Sequence, residues 1–219
     1  MESRIFGGKP VDTNRHKYLV KLSVHNKETS GVSCSGSIIS SRWIITAAHC
    51  IFPNKPIKTD ITHFRDGNRQ VIVEIEKYFK HPDYNNTRNY VLTNDESKND
   101  VALLKTKKGI VFDDYVKPIK LIDRTPEDNS LATIIGYGMS ETIDFKPREA
   151  KVRLYRCGDK KNVLCSKSPI RPGQGDSGGP VVVSGRLAGI TASGCDHCES
   201  AYVNVVEHLK WIRTTITNG

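Results

Sequence analysis

Long apolar runs are missing from the 219-residue sequence. No stretch approaches the roughly 20 residues that a helix needs to cross a bilayer. A visible secretion signal is missing too, since Met1-Glu2-Ser3-Arg4 is far too short to be one. That leaves two readings: a chain that starts downstream of a removed signal, or an intracellular protein. Zinc-finger spacing is also absent, because the one Cys-x-x-Cys pair, Cys195 and Cys198, has no second pair to meet. Lysine and arginine are dispersed, with only short clusters such as Lys105-Thr106-Lys107-Lys108, and nothing resembles a nucleic-acid-binding motif.

The composition that remains is that of a globular protein, 26% charged and 37% hydrophobic, long enough for one large domain or two small ones. A formal net charge of +9 could steer the chain toward heparin-like polymers, acidic substrates or anionic membranes. The plainer reading is a solvated basic surface with no specific partner. Six cysteines form an even set, Cys34, Cys50, Cys157, Cys165, Cys195 and Cys198, in which spacing proves no pairing. Disulfides would imply an oxidising compartment, extracellular or granule-type, and the glycosylation sequon Asn85-Asn86-Thr87 points the same way.

Short β-rich runs recur along the chain. In the first half they are Tyr18–Val24, Gly36–Ile39, Trp43–Ile45, Gln70–Ile75 and Val101–Lys105. The second half repeats the pattern at Ala132–Ile135, Ala150–Tyr155, Pro180–Val183, Leu187–Ile190 and Ala201–Val205. The polar stretch from Asn85 to Lys98 reads as loop. One helix closes the chain, because Val205, Leu209, Ile212 and Ile216 share a face. Periodicity alone therefore supports a mostly-β protein, barrel or sandwich.

The run Gly173-Gln174-Gly175-Asp176-Ser177-Gly178-Gly179-Pro180 is too glycine-rich for a helix interior and too irregular for a strand. A serine nucleophile needs such a place, with an exposed hydroxyl and backbone N–H groups free to meet an oxyanion. It also needs a base and a group to orient that base. Trp43-Ile44-Ile45-Thr46-Ala47-Ala48-His49-Cys50 ends an apolar run in a histidine, and Asn99-Asp100-Val101-Ala102-Leu103-Leu104 puts an acid at the head of another. A carboxylate buried there is costly without a partner.

In these motifs, together with Ile5-Phe6-Gly7-Gly8, the chain resembles the chymotrypsin/trypsin family of serine proteases. The motifs stand in the family's order and span nearly the whole chain. The resemblance implies two antiparallel six-stranded β-barrels and a C-terminal helix, in a single peptidase domain over 5–219. The barrels would cover about 17–115 and 116–204 and the helix 205–217, with 1–4 a propeptide or an added remnant. It implies a serine endopeptidase that works through an acyl-enzyme, with catalytic residues His49, Asp100 and Ser177 and an oxyanion hole from the N–H groups of Gly175 and Ser177. Cleavage after Arg4 would free an ammonium at Ile5 to pair with Asp176, so that the uncut chain would be zymogen-like. Disulfides Cys34–Cys50 and Cys157–Cys165 are implied, leaving Cys195–Cys198 as an unusually tight loop. Zinc or redox chemistry at Cys195-Asp196-His197-Cys198 stays open as the alternative.

The chain departs from the family around the substrate pocket. Arg171 falls at the pocket base, where trypsin-like members carry an acid, so Lys or Arg is not expected as the residue before the scissile bond (P1). A guanidinium there suggests an acidic P1, or else it points to solvent and leaves a small or apolar pocket. Gly173 replaces a cysteine that normally bridges the pocket walls. Ala132 and Val183 stand where another bridged pair is common. Ala192-Ser193-Gly194 replaces Ser-Trp-Gly, and the loop from Cys195 to Ser200 is short, which implies a narrow or reshaped cleft. Expected partners are protein or peptide substrates, protein protease inhibitors and, through the basic surface, polyanions. No specific nucleic acid, membrane span, metal or cofactor is called for, and the protein is expected to be a monomer, secreted or stored in secretory granules. The rival reading is a protease-fold binding protein, catalytically weak, that acts through its basic surface.

Overall fold

The computed structural model describes residues 5–12, 15–26, 29–51, 58–65, 69–85, 98–138, 147–195 and 199–219. Among the described residues, fourteen strands fall into two antiparallel sheets. The first holds β2 (Leu19–Asn26), β3 (Thr29–Ser40), β4 (Trp43–Thr46), β5 (Lys58–Arg65), β6 (Arg69–Val73), β7 (Ile75–Lys80) and β8 (Ala102–Thr106), after β1 (Lys9–Pro10) has joined the second sheet. Its order is β6-β5-β2-β3-β4-β8-β7, and its two edge strands are separated in the chain by Glu74 alone, so the sheet curls round on itself.

The second sheet contains β9 (Ser130–Gly136), β10 (Arg148–Cys157), β11 (Lys160–Ser166), β12 (Pro180–Val183), β13 (Arg186–Ser193) and β14 (Ser200–Asn204). Pairing of β10 with β9 closes these six strands into a barrel, and β1 adds to it through Lys9↔Glu149 and Pro10↔Arg148. In β10, Val152 and Leu154 face inward while Lys151 and Arg153 face out, the period-2 pattern of a strand with one wet face. Strands β5 and β11, and β7 beyond its first residue, lie outside the runs that apolar patterning marks. Their sequences, KTDITHFR, IEKYFK and KKNVLCS, are too rich in polar residues to stand out.

One apolar cluster joins the two sheets. Val20, Leu22, Ile38, Ile44, Ile45, Leu103 and Leu104 of the first meet Leu187, Ile190 and Val203 of the second. The C-terminal helix α1 (Leu209–Asn218), entered through a 3-10 turn at Val206–His208, adds fully buried Ile212 to this cluster, and Leu209 and Ile216 pack against it. Inside the closed barrel a second cluster gathers Ile5, Ala132, Ile134, Val152, Leu154, Leu164, Val181 and Tyr202. Val183 packs against that cluster too, so Ala132 and Val183 contribute apolar contact where a bridged pair is common.

Disulfides join Cys34 to Cys50 and Cys157 to Cys165. Cys195 is disulfide-bonded, while Asp196, His197 and Cys198 lie outside the described residues. So do Met1–Arg4 and Asn86–Thr87 of the sequon.

Candidate active site

Antiparallel pairing brings the histidine and the acid together. Register sets Thr46 at the end of β4 opposite Ala102 at the start of β8, so the residues just past one strand meet those just before the other. His49 lies in the 3-10 turn Ala48–Cys50, and the Cys34–Cys50 disulfide ties that turn to β3. Its backbone N–H donates to Asp100 Oδ1 at 2.8 Å, and its Nδ1 meets Asp100 Oδ2 at 2.6 Å. Asp100 is completely buried, so the carboxylate is tolerable because both oxygens are engaged by the same histidine. Nε2 is the ring nitrogen that Asp100 leaves untaken.

Burial disfavours the imidazolium, but the charge of Asp100 and its hydrogen bond outweigh this and hold the His49 pKa above its ordinary value; the charge of Lys80 opposes them. Lys80 also lies over the Tyr84 ring, 5.6 Å from its centroid.

The serine loop is fastened to the same segment. Gly175 and Gly178 take φ of 91° and 78°, values that glycine reaches without the Cβ clash of other residues. A Cβ on Gly178 would overlap Thr46 Oγ1 and the Ser35 carbonyl oxygen, and would stand 3.0 Å from the backbone nitrogen of Ala47. Ser177 O accepts from the Ser35 N–H at 2.7 Å and lies 3.7 Å from Cys50 Sγ, whose disulfide leaves it no proton to donate. Half-buried Ser177 thus sits beside the turn that carries His49.

Within the loop, the N–H groups of Asp176, Gly178 and Gly179 donate to the carbonyls of Gly173, Thr191 and Asp176. Those of Gly175 and Ser177 take no such partner among the described residues.

Asp176 is 1% exposed, its Oδ1 accepting from the Gly138 N–H and its Oδ2 from the Gly173 N–H, each at 2.8 Å. Ile5 is equally buried, in the apolar cluster of the closed barrel.

Among the pocket candidates, buried Ala192 forms a bulge between β13 and β14, and Gly194 packs against the Pro172 carbonyl. The Arg171 guanidinium lies over the Phe6 ring, 4.0 Å from its centroid.

Patterning did not mark two supports of this site. Buried Ser35, on β3, donates through Oγ to Gly175 O at 3.1 Å and accepts from the Tyr137 N–H at 2.9 Å, while Thr46 Oγ1 donates to its carbonyl at 2.8 Å. Asn99, just before Asp100, is braced through its side chain by Asp83 O, Asn162 Nδ2 and His208 Nε2, at 3.3, 3.4 and 3.1 Å. Small polar residues inside or beside strands carry no sequence signal for such long-range roles. One His/Cys grouping with ligand atoms within 4.8 Å occurs among the described residues, Cys34, His49 and Cys50; its sulfurs are bonded to each other and offer no thiolate.

A family model described as Trypsin matches residues 5–212. Thrombin-like enzyme calobin-1 of Gloydius ussuriensis is 28% identical over 244 residues, 98% of this chain and 88% of its own. Thrombin-like enzyme halystase of Gloydius blomhoffii is also 28% identical, over 98% of this chain and 97% of its own. Among solved structures, neuropsin, a serine protease expressed in the limbic system of mouse brain, shares the fold with a TM-score of 0.77, 24% identity and coverage of 95% and 98% of the two chains.

Proposed function

This chain belongs to the trypsin family and is a chymotrypsin-like serine endopeptidase, and from that premise we propose that His49, Asp100 and Ser177 are its catalytic triad. The observation that carries the assignment is the 2.6 Å contact of His49 Nδ1 with buried Asp100, next to a glycine-bracketed serine loop fastened to the same turn.

Ser177 Oγ attacks the substrate carbonyl carbon while His49 Nε2 accepts the hydroxyl proton. As the C–N bond breaks, the imidazolium returns that proton to the leaving amine, and water then releases the acyl group by the same steps. Asp100 fixes the ring and stabilises its cation. The N–H groups of Gly175 and Ser177 stabilise the oxyanion, each contributing roughly 3 kcal/mol.

Activation is by cleavage after Arg4, with the new Ile5 ammonium pairing with Asp176; burial of both residues supports this. Residues 5–219 act as a single peptidase domain, preceded at 1–4 by a propeptide or an added remnant. At P1, no acid at the pocket base calls for Lys or Arg. An acidic P1 requires Arg171 to leave Phe6, so the arrangement favours a small uncharged side chain. The disulfides support secretion or granule storage. The monomer takes protein or peptide substrates, meets protein inhibitors at its cleft, and binds polyanions through its net charge of +9.

The test is a fluorophosphonate probe applied to protein cut after Arg4. The Ser177 Oγ–P bond should form as fluoride leaves, and labelling should be lost in Ser177→Ala and in His49→Ala. Silence of the correctly cut protein would instead favour a protease-fold binding protein.

A further inference from the structure

The carboxylate of Asp100 is turned to His49, and among the described residues His49 alone hydrogen-bonds its oxygens. Where that carboxylate sits is therefore left to the backbone. The Val101 N–H donates to Asn99 O at 2.8 Å, a three-residue turn with Asp100 at its tip, and Val101 O accepts from the His81 N–H at 3.0 Å. This turn is only as fixed as Asn99, whose side chain reaches three other segments.

The partners of the Asn99 amide settle which way it faces. Asp83 O can only accept, so the atom 3.3 Å from it is Nδ2, and Oδ1 is turned to Asn162 Nδ2 at 3.4 Å and His208 Nε2 at 3.1 Å. Oδ1 cannot donate, so the contact with His208 holds only while Nε2 carries a proton. His208 is 1% exposed. Its ring stands nearly perpendicular to that of His81, centroids 5.2 Å apart, and His81 in turn lies 5.0 Å from Trp211, so the imidazole is walled in place. Burial holds the His208 pKa below its ordinary value, whereas that of His49 is raised. Wherever His49 is neutral and able to act as a base, His208 is neutral too and has one N–H to give. Asn204 O, 2.9 Å from Nδ1, competes for it, as does a backbone hydrogen bond to Lys98.

We propose that His208 is a positioning residue for the triad: donating from Nε2 to Asn99, it fixes the turn that aims Asp100 at His49. The proposal rests on the triad assignment above. It draws on residues 81–83, 98–101, 162 and 204–211, none of them in the N-terminal segment or the serine loop. A histidine serves here because its Nε2–H reaches across from the entry to α1, where an apolar side chain of similar bulk would fill the space and leave Oδ1 without that donor.

The experiment uses protein cut after Arg4 and an alkyl fluorophosphonate, read as the labelling rate at saturation and the concentration that gives half of it. His208→Leu should lower the saturating rate about tenfold or more, since a small misplacement of a catalytic group is costly, and leave the half-saturating concentration unchanged. His208→Gln, whose side-chain amide offers an N–H in the same place, should keep most of the parent rate. Asn99→Ala should lose as much as His208→Leu, and the double variant no more than either, because both act through one contact. Nitrogen NMR of the parent should find the neutral His208 ring protonated at Nε2. A parent-like saturating rate in His208→Leu overturns the proposal, as do a glutamine variant as slow as the leucine one, additive losses in the double variant, or a ring protonated at Nδ1. If His208→Leu does not fold, Asn99→Ala decides, and a parent-like rate there overturns the proposal. Silence of the parent toward the probe defeats the triad assignment itself, whereas an active parent with indifferent variants defeats the positioning role alone.

Discussion

A single histidine sets the working pH range at the residue scale. His49 must be neutral to take the Ser177 proton, and Asp100 raises its pKa, so activity should be lost as pH falls through a value above the ordinary 6.5 or so. Asp100→Asn removes the charge that favours the imidazolium. The acidic limb of the kcat/KM profile should move to lower pH, while kcat drops about 10,000-fold because the ring loses its correct tautomer. A steady-state pH series on a peptide substrate measures both effects. Ser35 is the second residue to test. Its hydroxyl joins Gly175 O to the Tyr137 N–H in a fully buried place, so Ser35→Ala leaves both groups unmatched. Thermal or urea unfolding should show a loss of about 1–3 kcal/mol.

Charge sets the attachment of the N-terminal strand at the scale of elements. Glu149 on β10 is held by His16 Nε2 at 2.6 Å and flanked by Lys9 and Arg15, each at 3.7 Å. Burial opposes its ionisation, but the hydrogen bond from His16 and the positive charges of Arg15 and Lys9 prevail and depress its pKa. A depressed carboxylate stabilises the fold above its unfolded pKa, and that contribution fades as pH falls through the folded value. Glu149→Gln should therefore cost about 1–3 kcal/mol near neutrality, and the gap from the parent should shrink below about pH 4. Urea unfolding at several pH values tests the sign. Helix α1 is fixed by apolar contact: Ile212 is fully buried between elements of both sheets. Ile212→Ala should cost about 2–5 kcal/mol.

The shared apolar cluster makes the two sheets one cooperative unit when the whole molecule is considered. Calorimetry should show a single transition whose calorimetric and van't Hoff enthalpies agree, and Ile212→Ala should move all of it to lower temperature. A split transition would mean that the barrels fold separately. The sequence alone determined the local chemistry: a histidine and an acid each at the end of a buried strand, glycines at 175 and 178 where φ is positive, and β-rich runs of the right period. Those features depend on neighbouring residues, so they can be read in one dimension. Tertiary structure decided the rest. Pairing of β4 with β8 brought His49 to Asp100, Ser35 became a strut between barrels, Arg171 turned to Phe6, and Pro172 met Gly194. Each is a contact between distant segments, fixed by strand register and loop length; side-chain type alone does not encode it.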